Sequence, residues 1–136
     1  MDEFKLLLAI TSLLMAVSQA GAHGEDRPGP NGGFIQMPGA FHTEVVPLKK
    51  NQVAVYLLDM NWKDPRVSNS SVTAVYMSDH KTTQKVNGDC APAANHFVCN
   101  FTNKVDLTKA GKLVLETKRN AQQGNPAIYK LPLKHE

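Results

Sequence analysis

The sequence predicts an all-β protein, an antiparallel immunoglobulin-like β-sandwich of about seven to eight strands that follows a cleaved signal peptide. Short segments rich in β-branched and aromatic residues are separated at regular intervals by turn residues. No stretch of the exported chain sustains a helical period, and residues 105–110 could form a single turn at most. Cys90 and Cys99 lie too close in sequence to bridge two sheets, so we predict the architecture and not membership of the immunoglobulin family.

The individual strands follow from alternation and from turn signals along the chain. Residues 52–58 form a nearly continuous apolar run, which is typical of a central strand. Pro47 ends the strand before it, because proline donates no hydrogen bond to a sheet. A polar loop containing Asp64-Pro65 follows the central strand. The complete set of predicted strands is 34–37, 41–46, 52–58, 72–77, 82–86, 96–101, 112–117 and 127–131.

The first 22 residues have the pattern of a secretory leader. Lys5 supplies a weak positive charge, residues 6–17 are apolar, and Ala20-Gly21-Ala22 is a small-x-small cleavage site. The apolar run is shorter than the about 20 residues that a membrane span needs, and the alternative is an uncleaved N-terminal anchor. We therefore expect a periplasmic or secreted protein, divided into a signal peptide (1–22), a Gly/Pro-rich N-terminal arm (23–33) and a β-sandwich domain (34–136).

The composition of the exported chain argues against several classes of function. Its 14 basic and 10 acidic residues give a net charge of +4, and the lysines are scattered, whereas nucleic-acid binding needs a concentrated basic face. No nucleophile elbow, phosphate-binding loop or HExxH motif occurs, so we do not expect an enzyme. Nothing after the leader resembles a transmembrane segment, so none is expected in the exported protein.

Two cysteines, nine residues apart, are predicted to form a disulfide bond. Cys90 and Cys99 flank a turn-rich stretch long enough to close a loop, and an exported protein matures in an oxidising compartment. The alternative is a pair of thiolate metal ligands.

The candidate metal ligands begin with the first residue of the mature chain. Cleavage after Ala22 would leave His23 with two nitrogens for one metal ion, its free amine and its imidazole. His42 and Glu44 are two residues apart, so they share one face of a strand. If the arm folds back, His23 and His42 would together supply the three nitrogens of a copper-binding histidine brace. The alternative is that His42 and Glu44 are solvated polar residues on an outer strand face.

Further candidates come from side chains near strand ends. Met37, beside a Pro-Gly turn, is the best methionine candidate for monovalent copper, which prefers thioether ligands, although methionine is also an ordinary core residue. Asp79-His80 follows a strand and could line the same end of the sandwich as the arm. We expect His96 and His135 to be exposed bystanders.

One segment resembles a known family. The run Gly-Pro-Asn-Gly-Gly-Phe-Ile at 29–35, followed by Gly-Ala-Phe-His-Thr-Glu-Val-Val at 39–46, resembles a motif of exported heavy-metal resistance proteins. That motif is His-Gly-Pro-x-Gly-Gly, a short gap ending in Gly, then His-x-Glu. It occurs in the small β-domain of periplasmic adaptor subunits of cobalt/zinc/copper efflux systems and in stand-alone periplasmic proteins built from that domain. The resemblance covers about 18 residues.

The resemblance implies periplasmic binding of a transition metal that is buffered for, or delivered to, an efflux system. It carries over His42 and Glu44 as ligands, with Asn31-Gly32-Gly33 as the turn that positions them. The family often has a histidine directly before Gly-Pro, where this chain has Pro28. We expect His23, as the mature N-terminus, to replace that ligand.

Two functions are therefore carried forward. The first is a copper-binding protein, with zinc or another divalent transition metal as the alternative cofactor and an efflux-system or other periplasmic protein as a possible partner. The second is an exported protein-interaction module, without bound metal, that uses its strand edges for β-augmentation.

Overall fold

A computed structural model describes residues 25–80 and 82–135, in which every regular element is a β-strand. The predicted signal peptide and His23 lie outside the described residues. Two antiparallel sheets pack face to face, so the prediction of an all-β sandwich is confirmed. The first sheet has the order β1 (Phe34–Gln36), β2 (His42–Lys49), β3 (Gln52–Leu58), β7 (His96–Asn100), β6 (Asp89–Ala93). The second has the order β10 (Ala127–Leu131), β8 (Gly111–Arg119), β4 (Ser71–Ser78), β5 (Lys85–Asn87), and β9 (Gln122–Gln123) pairs with β8.

Residues 25–80 and 82–135 contain no helix long and apolar enough to cross a membrane.

The core lies between the two sheets and follows the period-two alternation of the strands. Val45 on β2 is paired with Val55 on β3, and Ala74 on β4 is paired with Leu115 on β8. Because cross-strand partners point to the same side of a sheet, such pairs build one continuous apolar layer. The buried residues of this layer include Phe41, Val45, Val53, Val55, Leu57, Val72, Ala74, Phe97, Cys99, Leu113, Leu115, Ala127, Tyr129 and Leu131.

A hydroxyl pair crosses this apolar layer. The hydroxyl of Tyr129 on β10 lies 2.6 Å from the hydroxyl of Thr43 on β2, and both side chains are buried. Burial raises the pKa of Tyr129 above its ordinary value, although the hydrogen bond with Thr43 acts in the opposite direction. The contact therefore links the two sheets through a phenol that stays neutral.

The strands differ from the sequence expectation at two prolines. β2 continues through Pro47 to Lys49, with a register shift between these two residues. Pro47 is tolerated because β1 pairs with β2 only at residues 43–45, so no strand of the described chain pairs with that side of β2 at Pro47. β6 was not expected at all. It is a short edge strand that contains Pro92 among small residues, so its sequence lacks the β-branched pattern from which strands are predicted.

The predicted disulfide is confirmed. Cys90 on β6 lies directly opposite Cys99 on β7, and their sulfur atoms are bonded. The bond joins the two strands of one hairpin at the edge of the first sheet, and Cys99 is fully buried beneath it. The pair is thus a structural cross-link and not a thiolate site.

Candidate functional site

The candidate site lies on the outer face of the first sheet, the side that points away from the second sheet. His42 and Glu44 share this face, opposite Leu58 and Tyr56 on β3. Both side chains are covered, with exposed fractions of 4% for His42 and 0% for Glu44. The alternative that His42 and Glu44 are solvated polar residues is therefore wrong, because the segment 25–33 and the loop after β3 fold over this face.

Glu44 is fully engaged in holding the N-terminal segment. Its Oε2 accepts hydrogen bonds from the backbone N–H groups of Asn31 and Gly33, each at 2.9 Å, and its Oε1 accepts one from Asn31 Nδ2 at 2.8 Å. Donors aimed at both oxygens satisfy a buried carboxylate without a metal ion. The geometry makes Glu44 an anchor for the segment 29–33.

The glycines of this segment are explained by the same carboxylate. A Cβ atom on Gly29 would run into the carboxylate of Glu44, and one on Gly33 would lie 2.5 Å from the carbonyl oxygen of Val45. Gly32 has a φ of 76°, in the left-handed region that glycine adopts without strain. The Gly-Pro-Asn-Gly-Gly run is therefore the sequence that lets the backbone come within hydrogen-bonding distance of a buried glutamate.

In contrast to Glu44, whose two oxygens both accept hydrogen bonds, His42 has a described hydrogen bond at one ring nitrogen only. Its Nδ1 lies 3.2 Å from the carbonyl oxygen of Asp59, and because a carbonyl oxygen can only accept, Nδ1 carries the proton. In the tautomer with its proton on Nδ1, the ring has a lone pair on Nε2. This is the tautomer in which protein histidines bind metals through Nε2 while a second group orients the ring.

A tight loop after β3 builds the wall beside His42. The carboxylate of Asp59 accepts hydrogen bonds from the backbone N–H groups of Asn61 and Lys63 at 2.8 and 2.9 Å, which curls the loop back on itself. The curl brings Trp62 edge-on to the His42 ring, with the ring centroids 5.9 Å apart. The sequence predicted a polar loop here but not its contact with His42, and the one available signal was that Trp62 is the sole tryptophan.

Met37 lies on the same face as His42. β1 pairs Ile35 with Glu44 and Gln36 with Thr43, so one further step along this register brings Met37 opposite His42. Alternation puts Met37 on the outer face with Ile35. Its side chain is 36% exposed.

Two contacts fix the start of the described N-terminal segment against this face. The N–H of Glu25 donates to the carbonyl oxygen of Ile35 at 3.0 Å, and the guanidinium of Arg27 lies 4.9 Å from the centre of the Trp62 ring. His23 precedes Glu25 by two residues, which span at most about 7 Å of extended chain. Its ligand role lies outside the described residues and stays a prediction.

Asp79 and His80 lie at the other end of the sandwich. They follow Ser78, which pairs with Gly111 at the start of β8, whereas Arg119 at the end of β8 donates to the carbonyl oxygen of Leu57 near His42. Eight residues of strand separate the two ends, or about 26 Å. The expectation that Asp79 and His80 share an end with the arm is therefore wrong. They line a shallow cavity of about 320 Å³ with Tyr76, Lys104, Asp106, Lys109 and Ala110.

The remaining histidines stack on aromatic rings. His96 lies against Tyr56 with ring centroids 4.7 Å apart, and His135 lies against Phe34 at 4.2 Å. Across residues 25–80 and 82–135, no group of three or more His, Cys, Asp or Glu side chains is arranged to hold a metal ion. A metal centre on the outer face would therefore depend on a ligand from outside these ranges.

Comparisons of the chain with protein-family models, with curated proteins and with solved structures found no match.

Proposed function

We propose that the mature protein binds a transition metal, copper before others, on the outer face of the first sheet. The ligands are the amine and imidazole of His23 and Nε2 of His42, and the thioether of Met37 joins them when copper is monovalent. Nitrogen ligands suit divalent copper, whereas thioether sulfur suits the monovalent ion. Zinc, which also accepts imidazole nitrogen, is the alternative cargo.

The observation that carries the proposal is the hydrogen bond from His42 Nδ1 to the carbonyl oxygen of Asp59. It sets the ring orientation and leaves Nε2 as the coordinating nitrogen before any metal arrives. Preorganisation of this kind spares the metal site the cost of ordering a free side chain. The contacts of Glu25 and Arg27 support the proposal because they hold the start of the chain on the same face.

The ligand set is narrower than the sequence motif implies. Glu44 has both oxygens occupied by N–H donors, and removing it from Asn31 and Gly33 would release the segment that precedes β1. Asp79 and His80 are too far from His42 to share its metal ion. The proposed centre thus has two histidines and one methionine. Its biological role, from the family resemblance, is to buffer or deliver copper in the periplasm for an efflux system.

The decisive experiment compares two N-termini. One protein is produced to begin at His23, with mass spectrometry as proof, and the other carries a single glycine ahead of His23. Divalent copper is titrated against a competing chelator, and electron paramagnetic resonance reports the nitrogen coordination. We expect the extra residue to weaken binding by about 100-fold or more, about 2.7 kcal/mol, because the six-membered chelate ring that the amine and imidazole of His23 form with the metal is lost. Equal affinities for the two proteins would refute the proposal.

A matched pair of variants tests the second ligand. In H42N the side-chain amide can still donate to the carbonyl oxygen of Asp59, so the fold is kept while the coordinating nitrogen is removed. H96N makes the same chemical change at a histidine that stacks on Tyr56. We expect H42N to lose one nitrogen from the resonance spectrum and H96N to keep it. Identical spectra for the two variants would remove His42 from the site.

A further inference from the structure

The outer face of the second sheet carries two parallel rows of side chains with different chemistry. The strand register aligns Lys130, Lys112, Met77 and Lys85 across four strands, and this set is called the lysine row. Two residues further along each strand, the next row on the same face aligns Ile128, Val114 and Val75, followed by Asn87. This set is called the apolar row. With neighbouring strands about 4.8 Å apart, each row spans about 14 Å.

The lysine row is free of internal charge compensation. Lys85, Lys112 and Lys130 are all exposed, and the two ion pairs between described residues both involve Asp64 instead. Within the described ranges, no carboxylate therefore pairs with any lysine of the row. Glu116, an exposed acidic residue of this face, lies beyond the apolar row and opposite Thr73.

This arrangement is unfavourable for the isolated domain. Lys112 and Lys130 are direct cross-strand partners, and like charges in that position destabilise a sheet. Ile128, beside them, is 53% exposed, among the most exposed large apolar side chains of the described residues. A bound surface with carboxylates over the lysines and apolar groups over Ile128 would relieve both costs.

We propose that this face docks an acidic segment of a partner protein, with carboxylates against the lysine row and apolar side chains against the apolar row. The inference is independent of the proposed metal site, which lies on the other sheet. Charge disfavours a symmetric contact in which the lysine rows of two copies face each other, because like charges would meet. The shape of the face disfavours a membrane, because Val75, Val114 and Met77 are half-buried and leave Ile128 as the one strongly exposed apolar group.

The test begins with a photo-crosslinker at a defined position in protein made in its own host. The crosslinker replaces Ile128 in one variant and Leu48 in a control, since Leu48 is 50% exposed but lies on the first sheet. We expect an adduct from position 128 in which the captured peptide is rich in Asp and Glu. That peptide is then synthesised and titrated against the purified domain.

Charge reversal decides whether the lysine row forms the contact. K85E/K112E/K130E is compared with K49E/K63E/K104E, which makes the same change in net charge at exposed lysines outside the row. We expect the first variant to bind the peptide at least about tenfold more weakly than the parent does. The control should bind it within about twofold of the parent affinity. A peptide with its acidic residues changed to lysine should recover binding to the first variant alone. Four results would each overturn the proposal. Two of them are an equal loss of peptide affinity in both variants and an adduct without acidic residues. The other two are lysine-dependent sedimentation with anionic vesicles instead of peptide binding, and self-association through this face.

Discussion

Replacing Glu44 with alanine tests whether its carboxylate holds the segment 29–33 on β2. The substitution removes a fully buried carboxylate that accepts three hydrogen bonds, two from Asn31 and one from the N–H of Gly33. Gly33 is buried, so its N–H would lose its partner in a place that water reaches poorly. Asn31 is exposed, so its two donors would turn to solvent. The segment 29–33 should then detach from β2 while the sandwich stays folded.

The size of the effect follows from these contacts. An unpartnered buried N–H costs about 1–3 kcal/mol, and each hydrogen bond that is exchanged for water costs about 1 kcal/mol, so E44A should lose about 3–5 kcal/mol. For a domain of this length that corresponds to a fall in Tm of about 12–20 °C. E44Q should lose about half as much, because its amide oxygen can still accept from the backbone while Asn31 reverses its own amide to accept from Gln.

Urea denaturation gives the free energy of unfolding, and amide hydrogen exchange locates the loss. We expect the N–H groups of Asn31 and Gly33 to exchange much faster in E44A, with the β4–β8 ladder unchanged. E116A is the matched control, since Glu116 is an exposed glutamate of the second sheet and should stay within about 0.5 kcal/mol of the parent. An E44A protein within 1 kcal/mol of the parent, with Gly33 still protected, would show that the carboxylate does not hold the segment.

Other predictions concern the packing around this anchor and across the sandwich. G29A should destabilise more than G32A, because a Cβ on Gly29 meets the buried carboxylate whereas one on Gly32 meets open space and costs only about 1 kcal/mol for its positive φ; thermal denaturation compares the two. The raised pKa of Tyr129 contributes stability that is complete below about pH 10 and is lost as pH rises, by about 1.4 kcal/mol per pH unit, so urea midpoints should fall steeply above pH 10 in the parent and less steeply in Y129F. C90A/C99A should lose about 2–3 kcal/mol, and an unchanged urea midpoint would contradict a stabilising role for the disulfide.

Strands could be predicted from the sequence where apolar and polar residues alternate, because one face of the strand packs on the core. β4, β8 and β10 have that pattern, and β3 is the nearly continuous apolar run of a central strand. The structure has all four close to their predicted bounds. β6 could not be found in this way, because an edge strand with one packed neighbour needs neither β-branched residues nor a full set of N–H donors. The prediction that Pro47 ends its strand was wrong for the same reason, since a proline is tolerated where β1 no longer pairs with β2.

The site was predicted less well, because alternation gives the face of a residue and not what covers that face. The pattern placed His42 and Glu44 together correctly, and it could not indicate that residues 25–33 fold over them. Asp79 and His80 were assigned to the wrong end because strand direction in the second sheet depends on pairing between distant segments. Such long-range pairing leaves no trace in local sequence.

The motif at residues 29–46 therefore contains residues with two separable roles. Gly29, Gly33 and Glu44 form a unit that the fold itself requires, since the glycines admit the carboxylate and the carboxylate satisfies the backbone. His42 is not part of that unit, because it is held from the other side by the carbonyl oxygen of Asp59. A chain with this motif but without His42 should consequently keep the closed segment and lose the proposed copper site. Variants of Glu44 test the architecture of the site, and variants of His42 and His23 test what the site binds.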